Sequence, residues 1–298
     1  MKVKANGIDI EVEDTGADGS QAGRPVVQLI MGLGMQLVAW PPALVQALVD
    51  AGYRVIRHDN RDIGLSQHFD HLGLPNLLWE MVKLKTGFTP AAPYTVHDMA
   101  LDAVGVLDAL GIAQAHVVGV SMGGMIAQRV ALAAPQRVLS LTSIMSSSGA
   151  RGLPEAKGPV LRALLSRPAG TGRDAVVDHY VKLFRVIGSP GYPVEEPVLR
   201  ERILAGLERS YHPAGTLRQM VAIGADTGRR AAELGRITAP TLVLHGKDDP
   251  LVPYPCGVDT AKRIPNARLV GIGGMGHDLP PGVVERLLEP LLPHLQLA

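Results

Sequence analysis

Apolar and polar positions fall along this chain in two rhythms. Near the start, residues 3–5 and 8–13 alternate around Asn6-Gly7, so a β-hairpin with a two-residue turn is expected there. From residue 25 the strand signals change character. Residues 25–30 are almost continuously apolar, as in a strand covered on both faces. Further strand-like runs occupy residues 53–58, 116–119, 138–145, 240–246 and 267–272. Helical periodicity lies between them, at about 42–51 with Gly52 behind it, at 125–134 and at 281–295. Another helix opens at Thr95 with an arrangement like a capping box and closes at Gly111. Strand and helix in alternation predict a parallel sheet with helices on both faces.

The alternation stops at residue 147. From there to 234 the pattern is helical, broken by Gly and Pro at 167–168 and 188–191, and the strand rhythm resumes only at 240. The expected organisation is an α/β core of residues 1–146 and 235–298 carrying a helical insertion, residues 147–234. No internal repeat or low-complexity segment interrupts it.

Composition narrows the partners. The 298 residues are 46% hydrophobic, ample for one large core. A net charge of +1, with no long basic run, makes nucleic acid an unexpected partner. No apolar stretch has bilayer-spanning length and residues 1–7 lack the apolar region of a signal peptide, so a soluble, cytoplasmic protein is expected, with no membrane partner. The single cysteine, Cys256, excludes an intramolecular disulfide and reads as a small apolar residue. Aromatics are only 4% of the chain, which points to a pocket lined by Leu, Val, Ile and Met.

The chemistry begins at Gly119-Val120-Ser121-Met122-Gly123. An apolar strand precedes this run and a helix follows, so Ser121 stands at the apex of a sharp turn with its hydroxyl in open space. Side chains in place of the two glycines would collide with a neighbouring strand or helix. The N–H of Met122 falls at a helix N-terminus, where it can face a developing oxyanion. The glycine-rich segments lack the Gly-Lys-Ser/Thr ending of a nucleotide loop.

A serine hydroxyl is a weak nucleophile without an imidazole base, and that imidazole needs an acid to hold its tautomer. Working groups of open α/β sheets gather at the carboxyl ends of the strands, which filters the ten histidines. His277 follows the last strand within Gly273-Gly274-Met275-Gly276-His277-Asp278, a flexible loop at that edge. His245 and His58 also end strands but read as structural. His97 and His116 sit early in a helix and a strand, and His68, His71, His179, His212 and His294 have no convergent context. The acid should follow the strand ending at Gly246, where Asp248 and Asp249 are both candidates and spacing does not choose between them. The order is then Ser, Asp, His along the chain.

Taken together, Met31-Gly32-Leu33-Gly34, the run 59–66 (Asp-Asn-Arg-Asp-Ile-Gly-Leu-Ser), Gly119-Val120-Ser121-Met122-Gly123-Gly124, His245-Gly246-Lys247-Asp248-Asp249-Pro250 and Gly274-Met275-Gly276-His277 resemble the α/β-hydrolases over nearly the full length. Within them the chain is most similar to the aclacinomycin methylesterase-like branch. The resemblance implies an eight-stranded, mostly parallel sheet with helices on both faces and a helical lid. It also implies Asp249 as the acid and the N–H of Leu33 as the second oxyanion donor beside Met122. Many members have His-Gly where this chain has Met31-Gly32, but a backbone donor does not depend on that side chain. The lipase-type His-Gly-Gly-Gly run is absent.

The chemistry so implied is that of a serine hydrolase cleaving a carboxylic ester, as a carboxylesterase or methylesterase, with no metal or organic cofactor. The expected partner is a small-molecule ester, and the expected state a monomer or homodimer. Trp40, Met122, Tyr180, Phe184 and Met220 are candidate pocket walls, with ordinary core packing the competing reading for each. The same three side chains also serve C–C bond hydrolysis of diketones, lactone opening or perhydrolysis, since fold does not fix reaction. Haloalkane dehalogenase and epoxide hydrolase relatives carry Asp where Ser121 stands, which disfavours those chemistries. A non-catalytic ligand-binding member of the fold is the remaining alternative, and an intact triad argues against it.

Overall fold

The computed structural model describes residues 1–297. The hairpin forms as its turn residues demand. Strands β1 (Lys2–Ala5) and β2 (Ile8–Asp14) pair antiparallel with Ala5 opposite Ile8, and Asn6 and Gly7 both take positive φ, 49° and 79°. Such a turn follows the natural twist of the strands. Six strands follow: β3 (Val26–Ile30), β4 (Arg54–His58), β5 (Ala115–Val120), β6 (Val138–Ile144), β7 (Thr241–Gly246) and β8 (Arg268–Ile272). The sheet order is β1-β2-β4-β3-β5-β6-β7-β8, and only β2 runs against the rest. This is the eight-stranded, mostly parallel sheet expected.

Helices α1 (Pro42–Asp50), α2 (Leu77–Lys85), α3 (Val96–Ala109) and α4 (Met122–Ala133) connect the first half. Between β6 and β7 come α5 (Gly158–Leu165), α6 (Arg173–Ile187), α7 (Glu196–Arg209), α8 (Pro213–Asp226) and α9 (Arg229–Glu233). Then α10 (Tyr254–Arg263) and α11 (Pro281–Gln296) complete the chain. Successive strand residues feed opposite faces. Leu29 and Val118 pack with Leu44 and Leu48 of α1 and Val283 and Leu287 of α11. Their neighbours Ile30 and Val117 pack with Met99 of α3 and Ile126 and Val130 of α4. Each such side chain, fully buried, contributes about 1.5–3 kcal/mol, so the sheet is held from both sides.

Two elements differ from the sequence reading. Helix α4 starts at Met122, not Met125, because Gly123 and Gly124 have no side chains to register in an apolar pattern. Helix α2 was not anticipated. None of its residues is buried, and Leu78 and Trp79 face outward, so it has no core-facing stripe to read. Its start is fixed instead by Asn76, whose side chain accepts the Trp79 N–H at 3.1 Å.

The run 59–66 after β4 fastens the helices of the insertion to the core. Asp59 accepts from the Leu37 N–H at 2.7 Å and from Arg209, at the end of α7, at 2.7 Å. Asp62 accepts two bonds from Arg218 of α8, at 2.6 and 2.8 Å, and one from Tyr94 at 2.8 Å. Burial opposes the Asp62 charge, but Arg218, the Phe69 N–H and Tyr94 outweigh it and hold the carboxyl below its ordinary value. Arg218 is only 1% exposed and would keep only the exposed Asp70 at 3.2 Å and Gly73 O at 2.8 Å, so Asp62→Ala leaves a buried charge poorly compensated. That substitution is expected to cost about 3–5 kcal/mol, read as a lower urea midpoint with an unchanged slope. A loss below about 1 kcal/mol would mean that water or another acceptor replaces the carboxylate.

Candidate active site

Strands β3, β5, β7 and β8 all end on one edge of the sheet, and each delivers one piece of the site. After β5 the chain turns at Ser121, which has φ 56° and ψ −120° and caps α4. Left-handed backbone at a non-glycine residue costs on the order of 1–3 kcal/mol and persists only where its surroundings impose it. They do so here. The Ser121 N–H donates to Ile144 O at 2.9 Å, and the Ser146 hydroxyl donates to Ser121 O at 2.7 Å. A Cβ at Gly119 would lie 2.0 Å from Gly123 O, and one at Gly123 would lie 2.0 Å from Ile30 O. The first collision is with the helix and the second with a strand, as the sequence pattern predicts for so tight a bend.

After β8, the glycine loop carries His277 to this turn. Its Nε2 lies 2.9 Å from Ser121 Oγ, and its Nδ1 lies 2.7 Å from Asp249 Oδ2. The three side chains that sequence reasoning selected are therefore in line. The other oxygen of Asp249 accepts the N–H groups of Leu251 and Val252, at 2.9 and 2.8 Å, which fixes the carboxylate in one orientation. Asp248 is exposed and faces elsewhere: its Oδ2 accepts the Gly274 N–H at 2.7 Å and ties down the histidine loop. His245 is buried behind Asp249, with Nε2 2.7 Å from Val252 O, and burial holds its pKa down. It acts as a brace for the acid loop, the structural part assigned to it.

The loop after β3 passes directly beside the serine. A Cβ at Gly32 would lie 3.1 Å from Ser121 Cβ. The N–H of Leu33 and that of Met122 have no hydrogen-bond acceptor among the described residues. Both are free donors on segments that adjoin Ser121, Met122 as its neighbour in the chain and Leu33 next to Gly32.

The histidine loop is also held by the insertion. The His277 N–H donates to Ile187 O at 2.7 Å, at the end of α6. The Ser189 hydroxyl accepts the Gly276 N–H at 2.9 Å and donates to Asp278 at 2.5 Å. Burial raises the pKa of Asp278. None of these contacts had a sequence signal, since they join segments nearly ninety residues apart.

The pocket candidates divide. Trp40 is fully buried within the core, so it offers a substrate no surface and the core reading replaces the pocket one. Its environment explains this: it lies in the cluster of Leu29, Leu44 and Val120 beneath the sheet edge. Tyr180 and Phe184 line an apolar seam with Val177, Val181 and Ile203 of α6 and α7, and burial pushes the Tyr180 phenol up to about 12. Met220 is half-buried on α8, next to Gln219. His58 and His116 are buried and shifted down to about 4, chiefly by burial, and both are structural.

His68, Asp70 and His212 form a group of potential metal ligands that sequence spacing did not reveal. The two rings stack at 3.8 Å, nearly parallel at 5°. An imidazole lone pair lies in its ring plane, so two parallel stacked rings cannot both aim at one ion. His212 instead faces Asp62 O and Asp70 Oδ1, each at 2.8 Å, and the group is a hydrogen-bonded cluster at the start of α8.

A family model described as the alpha/beta hydrolase fold matches residues 25–172, and one described as TAP-like protein matches residues 223–282. The chain is 33% identical to rhodomycin D methylesterase DauP of Streptomyces sp. (strain C5), over 94% of this chain and 93% of that one. It is 30% identical to a 2-hydroxy-6-oxononadienedioate/2-hydroxy-6-oxononatrienedioate hydrolase of Cupriavidus pinatubonensis, over 90% of this chain and 84% of the other. Its fold superimposes on the meta-cleavage product hydrolase of Pseudomonas fluorescens IP01 with a TM-score of 0.73, at 19% identity, covering 99% of this chain and 97% of that one. A sheet with one reversed strand, a strained serine between strand and helix, and relatives matched almost end to end lead to one assignment: this chain belongs to the α/β-hydrolase family.

Proposed function

We propose that this protein is a serine hydrolase that cleaves a carboxylic ester, with Ser121 as nucleophile, His277 as base and Asp249 as acid. The observation that carries the reading is the placement of His277 Nε2 and Nδ1 within 2.9 Å of the serine and 2.7 Å of the carboxylate. His277 takes the hydroxyl proton as Ser121 Oγ attacks the ester carbon. The N–H groups of Leu33 and Met122 stabilise the resulting oxyanion. Such donors are worth about 3–4 kcal/mol each in other hydrolases. His277 then gives its proton to the leaving alcohol, and a water activated by the same ring hydrolyses the acyl-serine. Asp249 stays ionised throughout and holds the ring with its Nδ1 proton inward.

The methylesterase relatives support a small alcohol on the leaving side. A second reading, C–C bond hydrolysis, has its own relatives, named for dicarboxylate substrates. A dianion needs free cations in the site. The four buried arginines, Arg61, Arg129, Arg218 and Arg230, already face Asp102, Asp226, Asp62 and Asp226, which favours a neutral ester. Residues 147–234 act in this reading as a cap, with Tyr180, Phe184 and Met220 as apolar walls. The enzyme is read as cytoplasmic, and as a monomer or homodimer.

A fluorophosphonate should label the protein once, at Ser121, and a methyl ester of an apolar acid should give a higher kcat/KM than a vinylogous diketo acid or a lactone. Labelling elsewhere would remove the nucleophile from this scheme. A preference for the diketo acid would favour the second reading.

A further inference from the structure

The N–H of Leu33 serves as an oxyanion donor only if the Gly32–Leu33 peptide keeps one orientation. Glycine flanks it on both sides, and glycine-rich backbone does not hold an orientation by itself. Two buried carboxamides meet the loop, one on each side of that peptide. Asn60 Nδ2 donates to Met31 O at 2.8 Å. Gln219 Oε1 accepts the Gly34 N–H at 3.0 Å. Gln219 is held in turn, since its Nε2 donates to Arg61 O at 2.9 Å. Asn60 is 2% exposed and Gln219 fully buried, so water does not compete for these bonds.

Both pins share one footing. Asn60 and Arg61 are adjacent in the turn after β4, so the loop is braced between that turn and α8. Helix α8 also presses on it: Gly34 has φ 67°, and a Cβ there would lie 2.7 Å from Thr216 Oγ1. A carboxamide is the side chain that can do this at position 219, because it must accept on one side and donate on the other. A carboxylate would set a bare oxygen against Arg61 O, and an apolar side chain would leave both the Gly34 N–H and Arg61 O without partners.

We propose that Asn60 and Gln219 are positioning residues of the oxyanion hole, fixing the peptide that presents the Leu33 N–H. The inference rests on the serine-hydrolase reading above. It makes α8, through Gln219, a determinant of transition-state stabilisation and not only of pocket shape.

The test compares Gln219→Met, Gln219→Glu and Asn60→Ala with the unaltered protein on a p-nitrophenyl ester, with a trifluoromethyl ketone as the probe whose adduct places an oxyanion in the hole. Removing a direct oxyanion donor costs about 10²–10³ in kcat, so loosening one should cost about 10- to 100-fold. KM should stay within about twofold, because the substrate carbonyl gains little from the hole before it is attacked. The inhibition constant of the ketone should rise by the same factor as kcat falls. A merely structural role would lower the active fraction without moving that constant. An unchanged kcat, or an unchanged inhibition constant in a folded variant, overturns the inference. If one variant fails to fold, either of the others decides it. If the unaltered protein neither turns over the ester nor binds the ketone, the serine-hydrolase reading itself fails.

Discussion

Ser121→Ala is expected to abolish ester turnover, with kcat reduced by at least about 10⁴, and His277→Ala to do the same. The two should not multiply. Alanine at 121 leaves His277 with no hydroxyl to deprotonate, and alanine at 277 leaves the hydroxyl with no acceptor at 2.9 Å. A double variant should therefore fall no lower than the worse single one, at a floor set by the oxyanion donors and by binding. Steady-state kinetics on a p-nitrophenyl ester would show this. Alanine keeps the strained backbone of the turn, so loss of activity should come without loss of fold. Activity within tenfold of the unaltered protein in either single variant would place the chemistry elsewhere.

Asp249→Asn should lower kcat by about 10³–10⁴, and Asp248→Asn by no more than about tenfold. The local geometry makes the first effect severe. One oxygen of the Asp249 carboxylate is committed to the N–H groups of Leu251 and Val252. An asparagine must keep its carbonyl there, which turns its NH₂ toward His277 Nδ1. That nitrogen then has to be bare, the proton moves to Nε2, and the ring faces the serine as a donor instead of a base. At 248 an amide oxygen can still accept the Gly274 N–H, and the side chain is exposed. Measured kcat/KM values in the reverse order would reassign the acid.

How much of this was legible in the sequence depended on the range of the physics involved. The hairpin, the strands and the turn at Ser121 are specified by nearest neighbours: Asn6-Gly7, unbroken apolar runs, and glycines where no Cβ fits. His277 was legible because topology restricts the site to strand ends. The choice between Asp248 and Asp249 was not a matter of spacing. Both follow β7 within three residues of Gly246, and only the three-dimensional course of residues 249–252 turns one inward. Asn60 lay within a recognised run, but nothing in that run says its amide reaches Met31 O. Gln219 was invisible, because its partner Gly34 is 185 residues away. Trp40 stayed open between pocket wall and core for the opposite reason: aromatic residues suit pockets and cores equally, and only burial distinguishes the two.

The bond from the His277 backbone to Ile187 O has a consequence for how substrate gets in. If the cap proposed above opens at the end of α6, the swing would either break this bond or carry the His277 loop with it. An opening that leaves residues 187–191 in place would keep His277 within reach of Ser121. On that view the hydrogen-bonded pair of Ser121 and His277 stays assembled while an ester enters.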